Sequence, residues 1–228
     1  MEELDLKRYL VSEAPPTVYY IPNFVSQVEG KLLWDKVYSA PCSKWTQLSR
    51  RRLQNWGGTP HPKGMMVEPL PQWLEDRGRR IASLGVFEDK VPNHVLVNEY
   101  TPGQGIMPHQ DGPLYYPTVS TISLGSHTLL DFYRPVPDST KDGDASLESR
   151  YFLSVLLEPN SLLILKDAMY QTFLHGIAET KEDVVSDKIC NLSHLSKPVN
   201  IGDHLNRSTR VSLTIRFVPK TLKLKLKF

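Results

Sequence analysis

The sequence predicts a mainly β fold with flanking helices. Six short segments after Pro92 are rich in β-branched and aromatic residues and are separated by turn-forming residues, a pattern typical of a β-sandwich or barrel. Two amphipathic helix patterns precede them. Among 228 residues, 40% are hydrophobic and 23% are charged, which is ordinary for a globular protein. A chain of this length is able to bury a sizeable core.

The first third of the chain contains one short strand and both helices. The strand is predicted at residues 18–21. Ser26 and Glu29 have the spacing of a capping box, so the first helix begins there. Pro71 suits the first turn of the second helix, which we expect to end near Leu84.

Three polar stretches lie between the predicted elements. Residues 44–62 mix basic, polar and aromatic residues and indicate a loop or an irregular hairpin. Residues 136–150 indicate a mobile loop, and residues 179–208 indicate an insertion with little regular structure.

The strand-like segments occupy the second part of the chain. They are HVLVNEY (94–100), TVSTISL (118–124), TLLDFYR (128–134), FLSVLLE (152–158), SLLILK (161–166) and RVSLTIRFV (210–218). We therefore predict an N-terminal extension at 1–92 packed on a β core at 93–219, followed by a basic tail at 220–228. The alternating Lys and Leu of the tail favour a lysine-protected edge strand or a simple tail over contact with nucleic acid.

Composition excludes several classes of protein. The net charge of +2 does not mark a strongly basic nucleic-acid binder. No apolar run approaches the roughly 20 residues that a membrane-spanning helix needs, and the N-terminus lacks a secretory signal pattern. The two cysteines, Cys42 and Cys190, are too few for a disulfide framework and indicate a reducing compartment. We expect a monomer in the cytoplasm and nucleus, without membrane association.

His109 and Asp111 form the most informative motif. In an extended segment, residues two apart point the same way, so one imidazole and one carboxylate face a shared point. His175, just after the strand SLLILK, is a third candidate. Two histidines and one carboxylate with open positions suit a non-haem Fe(II) site for oxygen chemistry. The alternative is a set of ordinary surface or hydrogen-bonded histidines.

The strand at 210–216 alternates strictly. Its apolar residues point to one face, and Arg210, Ser212, Thr214 and Arg216 point to the other. Arginine is rarely buried without a partner. If the strand is central, one arginine suits a small dicarboxylate and the other suits a ligand carboxylate such as Asp111. The alternative is a half-exposed strand with solvated arginines.

The strand at 94–100 follows the same logic. Leu96, Asn98 and Tyr100 share one face. Asn98 and Tyr100 could donate hydrogen bonds to the same carboxylate, or they could lie at a solvated edge.

The order N-x-Y (98–100), H-x-D (109–111), a distant His (175) and R-x-S-x-T-x-R (210–216) resembles the AlkB-type Fe(II)/2-oxoglutarate-dependent dioxygenases. The resemblance covers nearly the whole chain. It implies a double-stranded β-helix (jelly-roll) core with an N-terminal substrate lid, and oxidative demethylation of N-alkylated bases.

The same resemblance implies roles for individual residues. His109, Asp111 and His175 would bind Fe(II). Arg210 would pair with the distal carboxylate of 2-oxoglutarate, helped by Asn98 and Tyr100, and Arg216 would lie close to Asp111. Ser212 stands where the family pattern has Asn, and a single shorter hydroxyl puts the usual hydrogen bond there in doubt.

The predicted lid is the part of the sequence that bears on the substrate. Residues 44–81 contain eight Lys or Arg against three Asp or Glu. Cations beside an aromatic suit phosphate contacts next to a base-stacking platform, and a base in a duplex would first be flipped out. The substrate-binding candidates are Arg50, Arg51, Arg52, Gln54, Trp56 and, at the pocket mouth, Tyr115.

Three functional hypotheses follow. The first is a demethylase of N-alkylated bases in single-stranded or flipped-out nucleic acid. The second is a 2-oxoglutarate oxygenase acting on a protein or a small molecule, which the modest net charge favours. The third is a nucleic-acid-binding module with weak catalysis, which the complete ligand set disfavours. In all three, Trp56 and the arginines could also be packing residues and a solvated face.

Overall fold

The computed structural model describes residues 4–136 and 146–222. Along the chain, the helices and strands are β1 (Val18–Ile21), α1 (Gln27–Tyr38), β2 (Trp45–Leu48), β3 (Arg51–Trp56), β4 (Gly58–His61), β5 (Gly64–Val67), α2 (Gln72–Ala82), β6 (His94–Tyr100), β7 (Ile106–His109), β8 (Thr118–Leu124), β9 (Thr128–Tyr133), α3 (Leu147–Arg150), β10 (Tyr151–Leu157), β11 (Leu162–Lys166), α4 (Asp167–Gln171), β12 (Leu174–Ile177), β13 (Glu182–Val184), β14 (His204–Asn206), β15 (Arg210–Arg216) and β16 (Thr221–Leu222). None of the helices in these two ranges is both long and apolar enough to cross a membrane.

Two facing sheets form the jelly-roll core. The large sheet has the order β1-β11-β8-β15-β6-β3-β2, and the small sheet has the order β10-β9-β12-β7. Apolar side chains of both sheets, among them Phe132 and Leu163, fill the space between them. The mainly β fold with flanking helices is therefore confirmed.

The two helices cover the outer face of the large sheet. The capping box predicted at Ser26 and Glu29 is present at the start of α1. Leu33 and Val37 of α1, with Leu74 and Ile81 of α2, pack on the apolar outward residues of β6, β8 and β15. Burial of these apolar helix faces stabilises the packing of the helices on the sheet, by about 25 cal/mol for each Å² of apolar surface removed from water.

Of the two alternatives predicted for residues 44–62, a loop or an irregular hairpin, the structure shows a hairpin, and its strands are regular. Strands β2 and β3 form an antiparallel hairpin, and β3 pairs with β6, so this hairpin extends the large sheet. Strand β4 pairs with β5 in a separate three-stranded sheet with β16. Tertiary pairing overrides the weak local strand pattern here.

Strand pairing also bears on the predicted division at residue 92. Strands β1, β2 and β3 of the N-terminal segment belong to the same large sheet as β6 and β15 of the core. The separate β4–β5 hairpin is the part that lies outside this sheet. The division into lid and core stays a prediction.

The other polar stretches contain only short regular elements where the structure describes them. The insertion at 179–208 holds only short elements, including β13 and β14, as expected, and its apolar residues cover the outer face of the small sheet. Within the loop predicted at 136–150, residues 147–150 form α3, and residues 137–145 lie outside the described residues. Thr221 and Leu222 pair with β5, whereas residues 223–228 of the predicted tail are not described.

Candidate active site

Three side chains with metal-ligand chemistry meet at one end of the small sheet. Strands β7 and β12 are antiparallel, with His109 directly opposite His175. Asp111 follows two residues after the end of β7. One ligand atom from each residue lies within 4.8 Å of the other two. Elsewhere in residues 4–136 and 146–222 no comparable group of three or more such side chains occurs.

Local surroundings favour metal binding by both histidines. The Nδ1 of His109 lies 2.9 Å from the carbonyl oxygen of Met107, and if Nδ1 donates its proton there, Nε2 keeps its lone pair. Burial lowers the pKa of His175 to about 4, so that side chain is neutral at physiological pH.

Asp111 is held in place from several directions. Its Oδ1 accepts a hydrogen bond of 2.7 Å from Arg216, while its Oδ2 is buried without a partner. The loop around it is tied to the end of α4, because Gln110 donates to the carbonyls of Gln171 and Thr172, and Tyr170 donates to the carbonyl of Gly112. One carboxylate oxygen is therefore left for a metal.

Arg210 is a buried cation beside this cluster. It is only 3% exposed, and Arg216 is 4% exposed, which excludes the solvated-arginine interpretation of β15. Arg210 donates to the Ser123 hydroxyl at 3.0 Å, and its Nε is buried without a partner. Burial lowers its pKa to about 10. A buried guanidinium without a carboxylate calls for an anionic ligand.

One cavity of about 260 Å³ brings these groups together. The alternation predicted for β15 and β6 is confirmed, because Asn98 and Tyr100 of β6 and the polar residues of β15 face the cavity. The alternate residues Val211, Leu213 and Ile215 face the helices. The predicted residues that line the cavity are His109, Asp111, His175, Asn98, Tyr100, Arg210, Ser212, Arg216, Arg51 and Tyr115.

Strand β3 separates the predicted substrate residues into two groups. Arg51 faces the cavity, where its Nε donates to Asn98 at 3.0 Å. Arg52, Gln54 and Trp56 lie on the opposite face, because side chains of a strand alternate. These three side chains therefore lie away from the cavity, and their contact with the substrate stays a prediction.

Each of these three residues has a structural partner. Arg52 forms a bidentate pair with Glu99, at 2.7 and 2.8 Å, and stacks over Trp45. Gln54 is fully buried and donates to the carbonyl of Val37 on α1. The indole of Trp56 donates to Gln54 and packs edge-on against Trp73.

The basic excess of residues 44–81 is largely neutralised. Six of its eight basic residues form ion pairs, as Lys44–Glu68, Arg50–Glu179, Arg52–Glu99, Arg77–Glu29, Arg79–Glu75 and Arg80–Glu29. Within the described residues, Arg51 and Lys63 have no ion-pair partner. Arg51 is therefore the cation of this segment that both lacks a carboxylate and faces the cavity.

Three residues near the site were missed from the sequence. Gln110 and Tyr170 secure the Asp111 loop, and no sequence signal marks them apart from the position of Gln110 between two ligands. His94 is fully buried next to Tyr115, with both ring nitrogens unpartnered, and burial with the nearby Arg216 lowers its pKa to about 3. His94 shares a face of β6 with Asn98, so strand alternation was the available signal for its direction.

Comparison with known proteins decides the family. The model of the 2OG-Fe(II) oxygenase superfamily matches residues 34–216. The chain is 59% identical over 223 residues to the zebrafish (Danio rerio) "Probable RNA/DNA demethylase ALKBH6", covering 98% of this chain and 94% of that protein. The chain belongs to the AlkB branch of the 2OG-Fe(II) oxygenase superfamily.

More distant relatives agree with this assignment. The oxygenase is 25% identical over 236 residues to the Xenopus tropicalis "tRNA (carboxymethyluridine(34)-5-O)-methyltransferase alkbh8", covering 96% of this chain and 34% of that protein. The solved structure of OsALKBH1 shares its fold, with a TM-score of 0.56 at 15% identity over 90% of this chain and 98% of that one. The protein is an Fe(II)- and 2-oxoglutarate-dependent dioxygenase.

The residues of the cavity fit both cofactors of this superfamily. The unpartnered Oδ2 of Asp111 lies among the converging ligand atoms, as a metal site requires. The unpartnered Nε of Arg210 offers a fully buried cation to a carboxylate. Ser212, which stands where the family pattern has Asn, also lines this cavity.

Proposed function

We propose that this oxygenase removes N-methyl groups from bases of nucleic acid that are single-stranded or flipped out of a duplex. The observation that carries the oxidative part is the convergence of His109, Asp111 and His175 beside Arg210 in one cavity. The description of the zebrafish relative as a probable RNA/DNA demethylase supports the substrate class. Arg51 lines the cavity wall and has no ion-pair partner among the described residues, which supports a substrate with hydrogen-bond acceptors or phosphates.

Each residue of the cavity has a role in this proposal. His109, Asp111 and His175 hold Fe(II), and Arg216 keeps Asp111 oriented through the 2.7 Å hydrogen bond to Oδ1. Arg210 binds the far carboxylate of 2-oxoglutarate, next to Asn98 and Tyr100. Tyr115, which packs over Arg216 at 4.1 Å, lines the side on which the methylated base enters.

When bound, the Fe(II)/2-oxoglutarate pair supplies the oxidation of a C–H bond with dioxygen, coupled to the conversion of 2-oxoglutarate to succinate. The chain contributes position and a dry environment. Apolar side chains such as Leu130, Leu163 and Ile177 line the inner wall and exclude water from the site.

The test measures succinate formed by purified protein with Fe(II), dioxygen and 2-oxoglutarate. Methylated single-stranded oligonucleotides are added one at a time, with unmethylated oligonucleotides of the same sequence as controls. We expect one methylated oligonucleotide to stimulate succinate formation and to release formaldehyde. His109→Ala abolishes both. Succinate formation that no methylated DNA or RNA stimulates would contradict the nucleic-acid proposal.

A protein or small-molecule substrate is the second candidate. It is favoured by the ion pairing of six of the eight basic residues in 44–81, which leaves little free positive surface for a phosphate backbone. Affinity for nucleic acid that falls steeply with salt supports the first candidate, because phosphate contacts release counterions. Salt-independent binding together with stimulation by a protein supports the second.

We also propose that the oxygenase acts as a monomer in the cytoplasm and nucleus. The free thiols of Cys42 and Cys190 support a reducing compartment. Light scattering of the purified protein and imaging of the tagged full chain test the two statements separately.

A further inference from the structure

The wall of the cavity is strongly asymmetric in charge. Three guanidinium groups line it, those of Arg51, Arg210 and Arg216, whereas Asp111 supplies the single carboxylate among the described lining residues. Three guanidinium groups against one carboxylate leave the wall with an excess of two positive charges. Adding a divalent metal and a dianionic cosubstrate leaves that total unchanged.

The carboxylate of Asp111 is committed to Arg216 and to the metal-ligand cluster. Arg216 binds Oδ1 of Asp111 at 2.7 Å, and Oδ2 lies in the ligand cluster. Other nearby acids are held elsewhere, because Glu99 pairs with Arg52 on the opposite face of the sheet and Glu179 pairs with Arg50. Within the described part of the chain, no lining carboxylate remains to balance a positively charged substrate.

Arg51 is the cation that remains available to the substrate. Its Nε is used in the 3.0 Å hydrogen bond to Asn98, which fixes the side chain on the cavity wall. It has no ion-pair partner among the described residues, and its two terminal nitrogens offer N–H donors. A base with an unprotonated ring nitrogen or a carbonyl oxygen can accept from these donors, whereas a cationic base is repelled.

We propose that the oxygenase selects neutral N-methylated bases, with the methyl on an exocyclic amine, over cationic bases methylated on a ring nitrogen. Arg51 is the residue that determines this specificity. The inference rests on the proposed demethylation of nucleic acid and names its substrate class. A positive ring in this cavity meets a positive wall without a counter-charge, and in a site of reduced dielectric that repulsion is strong.

The reaction is the same on either kind of base. One C–H bond of the methyl group becomes C–OH with one atom of dioxygen, and the other atom enters succinate as 2-oxoglutarate loses carbon dioxide. The C–N bond of the hydroxymethyl group then breaks. The nitrogen keeps the electron pair of that bond and formaldehyde leaves. The hydroxyl proton goes to the nitrogen of a neutral amine, and to water when the methylated ring was cationic. Selection therefore occurs at binding and positioning of the base.

Isomeric oligonucleotides test the proposal. N6-methyladenine and 1-methyladenine have the same mass but differ in charge at pH 7, as do N4-methylcytosine and 3-methylcytosine. Binding is measured by fluorescence anisotropy without dioxygen, on protein loaded with Fe(II) and 2-oxoglutarate, and turnover is then measured in air. We expect the neutral isomers to bind at least about tenfold more tightly and to be the better substrates.

Variants of Arg51 test whether its charge sets the preference, and thermal unfolding distinguishes that effect from a loss of folding. Arg51→Gln is expected to reduce the preference for the neutral isomer at least about threefold, and Arg51→Glu to reduce it further. Arg79→Gln, on the exposed side of α2, removes the same charge away from the cavity and is expected to leave the preference unchanged. Thermal unfolding checks that each variant is folded, and Arg51→Gln carries the test if Arg51→Glu does not fold.

The outcomes are distinguishable. Equal or tighter binding of the cationic isomers, with demethylation of either kind, would overturn the charge selection and leave the proposed function standing. A preference that persists in Arg51→Gln would overturn the role of Arg51. No response to any methylated oligonucleotide would overturn the proposed function together with this inference.

Discussion

Asp111 shows how single residues prepare this site. A carboxylate that binds a metal needs one oxygen held and one free, and Arg216 on one side with an unpartnered Oδ2 on the other provides that arrangement. The loop that carries Asp111 is irregular and would move without further support. Gln110 gives that support, since its amide bonds the carbonyls of Gln171 and Thr172 at 3.1 and 2.8 Å, just before the strand of His175.

Replacing Gln110 is therefore expected to loosen the metal site without changing its charge. Gln110→Met removes both hydrogen bonds, and we expect metal affinity to fall about tenfold, at the lower end of the range for supporting residues. Isothermal titration with Mn(II) measures the effect. Gln72→Met, on the exposed side of α2, is the matched control. Unchanged affinity in Gln110→Met would show that the loop is held by other contacts.

At the scale of elements, β3 decides which of its side chains face the cavity. Its alternation sends Arg51 into the cavity and Gln54 towards α1, where Gln54 bonds both the carbonyl of Val37 and the indole of Trp56. A buried polar group that loses its partner costs about 1–3 kcal/mol.

Gln54→Leu is accordingly expected to destabilise the protein by about 1–3 kcal/mol and to leave the kinetics of the folded enzyme unchanged. Urea unfolding gives the first quantity, and succinate formation at saturating and limiting substrate gives the second. A fall in kcat/KM with normal stability would instead restore Gln54 as a substrate contact.

The start of α1 predicts an acid-sensitive contribution to stability. The backbone N–H of Ser26, followed by the guanidinium of Arg77, lowers the pKa of Glu29 from its ordinary value of 4.5 to about 2. Because the folded-state pKa lies below the unfolded one, this contribution is fully present above pH 4.5 and is lost as the pH falls towards 2.

Glu29→Gln keeps a cap acceptor but loses the charge. We expect it to cost about 1 kcal/mol at pH 7, with the difference from the unmodified protein disappearing near the lower end of that pH range. Glu75→Gln, which breaks an exposed pair with Arg79 on α2, is the control with a smaller effect. A pH-independent difference between Glu29→Gln and the parent would contradict the assignment.

At the scale of the whole molecule, a buried ion pair within the insertion is tied to the end of β12. Arg207 forms two hydrogen bonds to Asp183, at 2.7 and 2.6 Å, and a third to the carbonyl of Ala178, which directly follows β12. Both charged side chains are at most 5% exposed. The segment 179–208 is therefore anchored next to the strand that carries His175.

Breaking this pair is expected to cost about 3–5 kcal/mol, because Arg207→Met leaves Asp183 buried without its main partner. Replacing both residues, as Arg207→Met with Asp183→Leu, is expected to recover most of that loss. Urea unfolding and limited proteolysis within 179–208 follow the two effects. A double variant as unstable as the single one would show that the hydrogen bond to Ala178 carries the stabilisation.

The sequence alone determined the β-rich class, the capping box of α1 and the residues of the cavity contributed by regular strands. Period-two alternation is a local property, so the residue order indicates that Arg210 and Arg216 share one face of β15 and that Asn98 and Tyr100 share one face of β6. Burial in the structure showed that both faces point inward. The H-x-D motif and the family resemblance identified the metal-ligand candidates from the sequence.

Only the tertiary structure decided which basic residues form ion pairs and which face of β3 lines the cavity. Arg52 and Arg51 are neighbours in the sequence, yet one pairs with Glu99 behind the sheet and the other lies on the cavity wall. Ion pairs between residues such as Arg50 and Glu179 join distant parts of the chain, so counting local charge overstated the positive surface. Strand pairing between β3 and β6 depends on long-range hydrogen bonds, which local propensity does not encode.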